Sequence, residues 1–166
     1  MKPRITQKIT PFLWFDSQAE PAAKFYVSLF KNSRITALTR YGAEGKEITG
    51  RQPGSVMTVA FRLAGQEFTA LNGGPHFKFT EAISLVVNCQ TQAEVDKYWE
   101  RLSQGGSKGQ CGWLKDKYGL SWQIVPTGMA GFFGGKDPAR AARVMVAMLK
   151  MRKLDIKALK RAYAGR

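Results

Sequence analysis

Three side chains of this 166-residue chain could carry ionisable chemistry without help: His76, Cys111 and Asp116. An imidazole can exchange a proton near neutral pH. A thiolate can attack an electrophile when a base lies beside it. A carboxylate can act as a base or simply shape a turn. Each of the three also has a plain structural reading. His76 is the single histidine and falls in a loop-rich stretch, Cys111 stands between Gln110 and Gly112, and Asp116 opens the turn Asp116-Lys117-Tyr118-Gly119. With Cys89 as the other cysteine, there is neither a disulfide framework nor a C-x-x-C spacing, and two reduced thiols are expected. Asn72, at the end of a strand-like run, could orient a carbonyl or phosphoryl oxygen or shape the turn before Gly73. These residues alone leave open whether the chain catalyses anything.

The elements that position them come in two copies. Ser17-Gln18-Ala19-Glu20 precedes Lys24-Phe25-Tyr26 and Leu29; Thr91-Gln92-Ala93-Glu94 precedes Lys97-Tyr98-Trp99 and Leu102. A hydroxyl residue followed three positions later by Glu is a reciprocal helix cap, and the spacing of Ala22, Phe25, Tyr26 and Leu29 makes one apolar stripe. Helices are therefore expected from about 18 to 30 and from about 92 to 104, each behind a strand (11–15 and 83–89). Three more strands follow the first helix, at 35–41, 55–63 and 66–72, the last two a hairpin about Ala64-Gly65. After the second helix, Gly105-Gly106 provides the stop. Strands near 110–115 and 120–125 follow, a further one near Ser107 is weakly patterned, and Pro126 ends the set. Asp137-Pro138 then starts a Met- and Ala-rich helix, and Leu154-Asp155 a shorter one with Ile156, Leu159 and Tyr163 on one face.

Internal repetition constrains architecture strongly. The fold class is α+β: two βαβββ modules at about 8–72 and 80–127, paired in a domain over 1–130, with a basic helical extension over 136–166. A hollow between two such halves is the natural place for a ligand. Its inward strand positions would carry Phe12, Trp14, Thr69, Ser84 and either Trp122 or Gln123, with Asn72 at its edge. Aromatic walls with a few hydrogen-bonding groups suit a small molecule.

Net charge is +14, of which residues 136–166 contribute an excess of eight and the remaining 135 residues only six. A basic tail on an ordinary body reads as a solvated helical surface, and no helix-turn-helix, zinc-finger or RNA-binding-sheet signature accompanies it. Specific nucleic-acid binding is not expected. Neither is membrane insertion: no stretch has the length of a span. The basic N-terminus lacks an apolar signal core, so the expected location is cytoplasmic.

The paired units, together with Leu71-Asn72-Gly73-Gly74-Pro75, Asp96-Lys97-Tyr98-Trp99, Cys111-Gly112-Trp113-Leu114-Lys115-Asp116 and Ser121-Trp122-Gln123-Ile124-Val125-Pro126, resemble the PhnB-like branch of the vicinal oxygen chelate (glyoxalase/bleomycin-resistance) superfamily. Members of that branch are often labelled 3-demethylubiquinone-9 3-methyltransferase. The resemblance covers roughly residues 5–127 and implies dimers that complete their pockets by pairing, with the C-terminal helices available as glue. It also implies, in metal-dependent members, one ligand from the first strand of each module (His or Gln) and one from the last (Glu).

Aligning the repeats places Thr10 and Ser84 at the first-strand position, and Thr69 and Gln123 at the last-strand position. Hydroxyls and one amide are weak ligands for Zn, Ni, Mn or Fe, so no metal and no cofactor is expected. Methyl transfer from S-adenosylmethionine needs a glycine-rich turn between a strand and a helix, and Gly73-Gly74-Pro75 continues into Phe77-Lys78-Phe79 without one. The expected function is metal-independent binding of a small molecule. The alternative is a lyase, isomerase or the labelled ubiquinone-pathway methyltransferase working by metal-free acid–base chemistry through His76, Cys111 or Asp116.

Overall fold

Period-two alternation in the strands and helical spacing between them produce the same unit twice. In the computed structural model, residues 7–44, 46–135 and 137–166 are described. The chain divides into two compact units, 1–78 and 79–166. In the first, β1 (Phe12–Phe15), α1 (Ala19–Leu29), β2 (Arg34–Arg40), β3 (Val56–Leu63) and β4 (Gln66–Asn72) build a sheet in the order β1-β4-β3-β2. β1 runs parallel to β4 and the other pairs are antiparallel. Leu13, Phe15, Val59, Phe61, Phe68 and Ala70 point to the helix side and are buried with Ala22, Ala23, Tyr26 and Leu29 of α1. A short α2 (Lys46–Thr49) stands in the Gly-rich connection that the sequence reads as irregular.

The second unit repeats the plan with β5 (Ser84–Cys89), α3 (Gln92–Ser103), β6 (Ser107–Lys108), β7 (Trp113–Lys115) and β8 (Ser121–Pro126), in the order β5-β8-β7-β6. The fold class read from the sequence therefore holds: two four-stranded mixed sheets with helices, followed by C-terminal helices. The repeat register holds too. Phe12 faces Thr69 in the first sheet, and its counterpart Val86 faces Gln123 in the second.

The two helix caps differ despite their matching sequences. Thr91 accepts the Glu94 N–H at 3.2 Å, while the Glu94 carboxylate accepts the Gln90 N–H at 2.7 Å, as the capping box requires in outline. In the first unit Ser17 makes no such bond. Gln18 is the N-cap residue, and the free Ala19 N–H donates instead to Oδ1 of Asn72 at 2.8 Å. Glu20 turns away to pair with Lys24 at 2.7 Å. The reason lies on the neighbouring strand: Asn72 faces Phe15, whereas the residue facing the equivalent Cys89 is Pro126, whose ring can accept nothing.

Beyond β8 the second unit acquires a separate small core. α4 (Met129–Phe133), unforeseen in a glycine-interrupted stretch, leads to α5 (Pro138–Leu149) and α6 (Ile156–Ala164). Met129, Val144, Leu154 and Leu159 are buried together, with Val125, Phe132, Met148, Met151 and Tyr163 packed around them. Asp137 caps α5 through the Ala139 N–H and Asp155 caps α6 through the Ala158 N–H, as the sequence suggests. Among the described residues no helix is long and apolar enough to cross a membrane.

Gln92 and Asp96 tie α3 to this appendage. Gln92 donates to the Leu154 carbonyl and accepts the Ile156 N–H, and Asp96 pairs with Lys153 at 2.8 Å. The hydrogen bond from Lys153 holds the Asp96 carboxyl below its ordinary value of 3.8. A depressed carboxylate stabilises the fold above its unfolded value and loses that contribution as pH falls through the folded one. The pair is solvent-exposed, so its contribution is at most about 0.5 kcal/mol. Melting curves of wild type and Asp96→Asn are expected to differ slightly at neutral pH and to converge in strong acid.

Candidate functional site

Each sheet packs one face on its module helix, α1 or α3, and turns the other away from it, and the face turned away carries the candidate positions. In the second unit the C-terminal helices reach the end of that face at Val125. In the first unit two cross-strand rows run over that face: Phe12-Thr69-Ala60-Ala37 and Trp14-Leu71-Thr58-Thr39. Phe12 is 60 % exposed, a large aromatic surface for a strand residue. Thr39 and Thr58 share a hydrogen bond at 2.6 Å. The loop after β4 closes over Trp14. The indole N–H donates to the Gly74 carbonyl at 2.8 Å, Phe77 meets the ring edge-on at 4.9 Å, and a Cβ at Gly73 would lie 2.2 Å from the indole. Glycine at 73 is thus a packing requirement of Trp14.

His76 is exposed in this loop, with its ring 3.3 Å from where a Gly74 Cβ would stand. Arg51 approaches the same point to 2.9 Å and donates to the Asp16 carbonyl at 2.7 Å and to its carboxylate at 3.2 Å. No motif or periodicity points to Arg51, which lies in the irregular connection away from either helix motif.

In the second unit the corresponding rows are Ser84-Ser121-Lys115-Ser107 and Val86-Gln123-Trp113. Gln123 Nε2 donates to Ser84 Oγ at 2.8 Å, so two expected site residues do meet. Lys115 pairs with Glu81, whose carboxyl it holds below the usual range. Lys115, Ser121 and Glu81 were missed from sequence. Lys115 and Ser121 could have been found by extending the parity of Gln123 and Trp113 across the turn.

Other expected residues lie elsewhere. Trp122 is 2 % exposed and pairs with Leu85 and Leu114 on the helix side of the sheet, so of the two it is Gln123 that lies on the opposite face. The Trp122 indole N–H donates to Asp116 Oδ2 at 2.9 Å, and Asp116 Oδ1 accepts the Tyr118 and Leu120 N–H groups. Asp116 is therefore a buried turn-former. Asn72 is equally committed: besides Ala19, its Nδ2 donates to the Val56 carbonyl at 3.0 Å. Cys111, with φ 55°, puts its thiol 3.5 Å from the Met148 carbonyl beside the C-terminal helices. Burial pushes the Cys89 thiol up to about 11, which keeps it protonated and inert at neutral pH.

Neither group that the resemblance implies fits these residues. Thr69, Ser84 and Gln123 offer a divalent ion only neutral oxygens, and Ser84 and Gln123 already bond each other. Among the described residues no three His, Cys, Asp or Glu side chains are grouped to hold a metal. S-adenosylmethionine lacks its usual cradle. Gly73-Gly74 is closed on Trp14 with no helix behind it, and Gly134-Gly135 follows a helix, α4.

Structural comparison finds the same fold in distant proteins. PA1353 from Pseudomonas aeruginosa is 16 % identical, with a TM-score of 0.58 over 73 % of this chain and 98 % of its own. The fosfomycin resistance protein FosX from Listeria monocytogenes is 15 % identical, with a TM-score of 0.50 over 74 % and 92 %. No curated protein sequence matches. Nearer is a putative 3-demethylubiquinone-9 3-methyltransferase, PhnB protein, from Bacillus cereus: 39 % identity and a TM-score of 0.65, covering 72 % of this chain and 99 % of that one. Residues 7–125 also match the family model described as 3-demethylubiquinone-9 3-methyltransferase. The chain thus belongs to that PhnB-like family.

Proposed function

We propose that this protein binds a small, partly aromatic or apolar molecule on the sheet faces turned away from α1 and α3, and does so without a metal. One observation carries the reading. At the two second-unit positions where a metal-dependent relative would offer ligands, Ser84 and Gln123 satisfy each other at 2.8 Å. Trp113, opposite Gln123, adds aromatic surface to the second unit's face, and Phe12 and Trp14 add it to the first unit's; aromatic walls with a few polar groups are the makeup of small-molecule sites. Self-association through the C-terminal helices accompanies this reading, supported by the exposed Met145, Val146 and Leu149 on α5.

The enzymatic alternative draws on the exposed His76 beside Arg51. Conversion of a bound molecule that is lost in His76→Ala would favour it.

The test is a thermal-shift screen of a metabolite library in the presence of a chelator, with hits mapped by backbone amide shifts. Hits are expected to move the amides of Phe12, Thr69 and Gln123. A library that raises no melting temperature, or hits confined to the helix-side residues, contradicts the proposal.

A further inference from the structure

The second unit holds a cavity of about 210 Å³ whose lining includes Glu81, Ser107, Gly109, Trp113, Lys115 and Ser121. Its chemistry is set by one cross-strand row. Ser121 of β8 faces Lys115 of β7, which faces Ser107 of β6. Directly opposed side chains on one face stand within contact distance of each other, so Ser121 and Ser107 flank the Lys115 side chain, whose ammonium reaches Glu81.

Ser121 is the unusual member. It is 1 % exposed, and its hydroxyl has no hydrogen-bond partner among the described residues. Buried hydroxyls are normally bonded, and leaving one unbonded costs stability. Alanine would fit the same space without that cost, so the hydroxyl calls for a partner from outside the fold.

The neighbouring groups define what that partner is. Lys115 and Glu81 form an ion pair at 2.5 Å. Their charges cancel, so a free ion of either sign gains little net attraction. What remains is a fixed donor, the ammonium, beside a fixed acceptor, the carboxylate, with a hydroxyl able to play either part. A carboxamide presents the complementary set: a carbonyl that accepts and an N–H that donates, in one plane and without net charge. The half-buried indole of Trp113 provides a flat wall for a planar group.

We propose that this cavity is a subsite for a neutral, planar amide, with its carbonyl bonded to Ser121 and Lys115, its N–H to Glu81, and its ring against Trp113. The assignment rests on the small-molecule reading above and gives it a ligand class. Ser121 has no evident structural use and is the specificity-determining residue.

Nicotinamide is the probe, titrated into the isotope-labelled full-length protein. The amides of Ser107, Gly109, Lys115 and Ser121 are expected to shift together along one saturable curve. Nicotinate, an anion, and 3-picolylamine, a cation, are expected to bind at least fivefold more weakly. Ser121→Ala should weaken nicotinamide about tenfold, since a site built to hydrogen-bond a ligand suffers when a partner is removed. The melting temperature of that variant should equal or exceed that of wild type, an outcome that a structural role for the hydroxyl would not give. Lys115→Met, at a partly exposed position, supplies a second variant with the same loss of binding. Absence of saturable shifts up to the solubility limit, equal binding by Ser121→Ala, or no preference for the neutral probe overturns the assignment. Library hits that still move Phe12, Thr69 and Gln123 would then leave the broader reading standing, whereas silence there as well would remove both.

Discussion

Asp116→Ala is expected to lower the free energy of unfolding by about 3 kcal/mol, measured by urea denaturation. The carboxylate is 2 % exposed and accepts three hydrogen bonds, from the Tyr118 N–H at 2.8 Å, the Leu120 N–H at 3.1 Å and the Trp122 indole at 2.9 Å. Alanine leaves all three donors without this acceptor, two of them, at Leu120 and Trp122, in buried positions. Asp116→Asn keeps the two backbone bonds on Oδ1 but turns an amide N–H₂ toward the indole N–H, so a cost of about 1–2 kcal/mol is expected. The same pair of variants addresses catalysis. A general acid or base at 116 would show itself as lost turnover with unchanged stability. The fold argues for lost stability, with ligand binding by the open face retained below the lowered melting point.

The second large effect is expected at Asn72. Asn72→Ala removes the acceptor of the Ala19 N–H and the donor to the Val56 carbonyl, at 2.8 and 3.0 Å, and leaves both without their bonds in a buried site. A loss of about 2–3 kcal/mol follows from two such deletions. Asn72→Asp is no rescue, because it replaces the donor with an oxygen facing a carbonyl and buries a charge. The comparison is Thr91→Ala in the second unit, where an exposed side-chain cap is removed and about 1 kcal/mol is expected. Equal losses at the two sites would contradict the different origins of the two caps.

That difference shows where sequence reading succeeded and where it stopped. The repeat yields the succession of strands along the chain, the helices and the equivalence of Thr69 and Gln123. Gly65 and Gly119 mark the same point before the last strand of each unit, both in the left-handed conformation, and counting from them is a local operation. The first cap failed because its chemistry is not local, whereas the Thr91–Glu94 box formed as read. Whether Ser17 or a distant side chain satisfies the Ala19 N–H depends on what stands opposite Phe15, an asparagine in one unit and a proline in the other.

Trp122 and Gln123 form a similar case. Neighbouring strand residues always face opposite ways, so one of them had to face the helix. The choice rests on the turn before them. Asp116 holds Leu120 as well as Tyr118, which extends the turn by one residue and pairs Lys115 with Ser121. α4 was invisible because Gly128, Gly131 and Gly134 depress helix propensity. Packing of Met129 and Phe132 against the C-terminal helices outweighs that cost. The methionines divide in the same way: Met148 and Met151 pack against that core, whereas Met145 remains 40 % exposed.

The candidate site was only half legible. Phe12, Trp14, Thr69, Ser84 and Gln123 are on the faces turned away from α1 and α3, as alternation alone requires. Of the groups that bring charge to those faces, Arg51 and Glu81 come from connections where no periodic signal exists, and Lys115 from β7, a strand of only three residues. Family membership adds a description that speaks of methyl transfer. Recognition of a small molecule, the function proposed for this chain, rests instead on glycines closed over Trp14 and on Ser84 and Gln123 bonded to each other.

The most direct test is calorimetric titration of the first ligand found in the chelator screen, repeated after adding Zn, Ni, Mn or Fe in stoichiometric amounts. Metal-independent recognition predicts the same affinity in every arm, and an affinity of Thr69→Ala that, whatever the hydroxyl contributes, is equally indifferent to added metal. Binding that appears only with one of the metals, and disappears in Thr69→Ala or Gln123→Ala together with uptake of that metal, would contradict it.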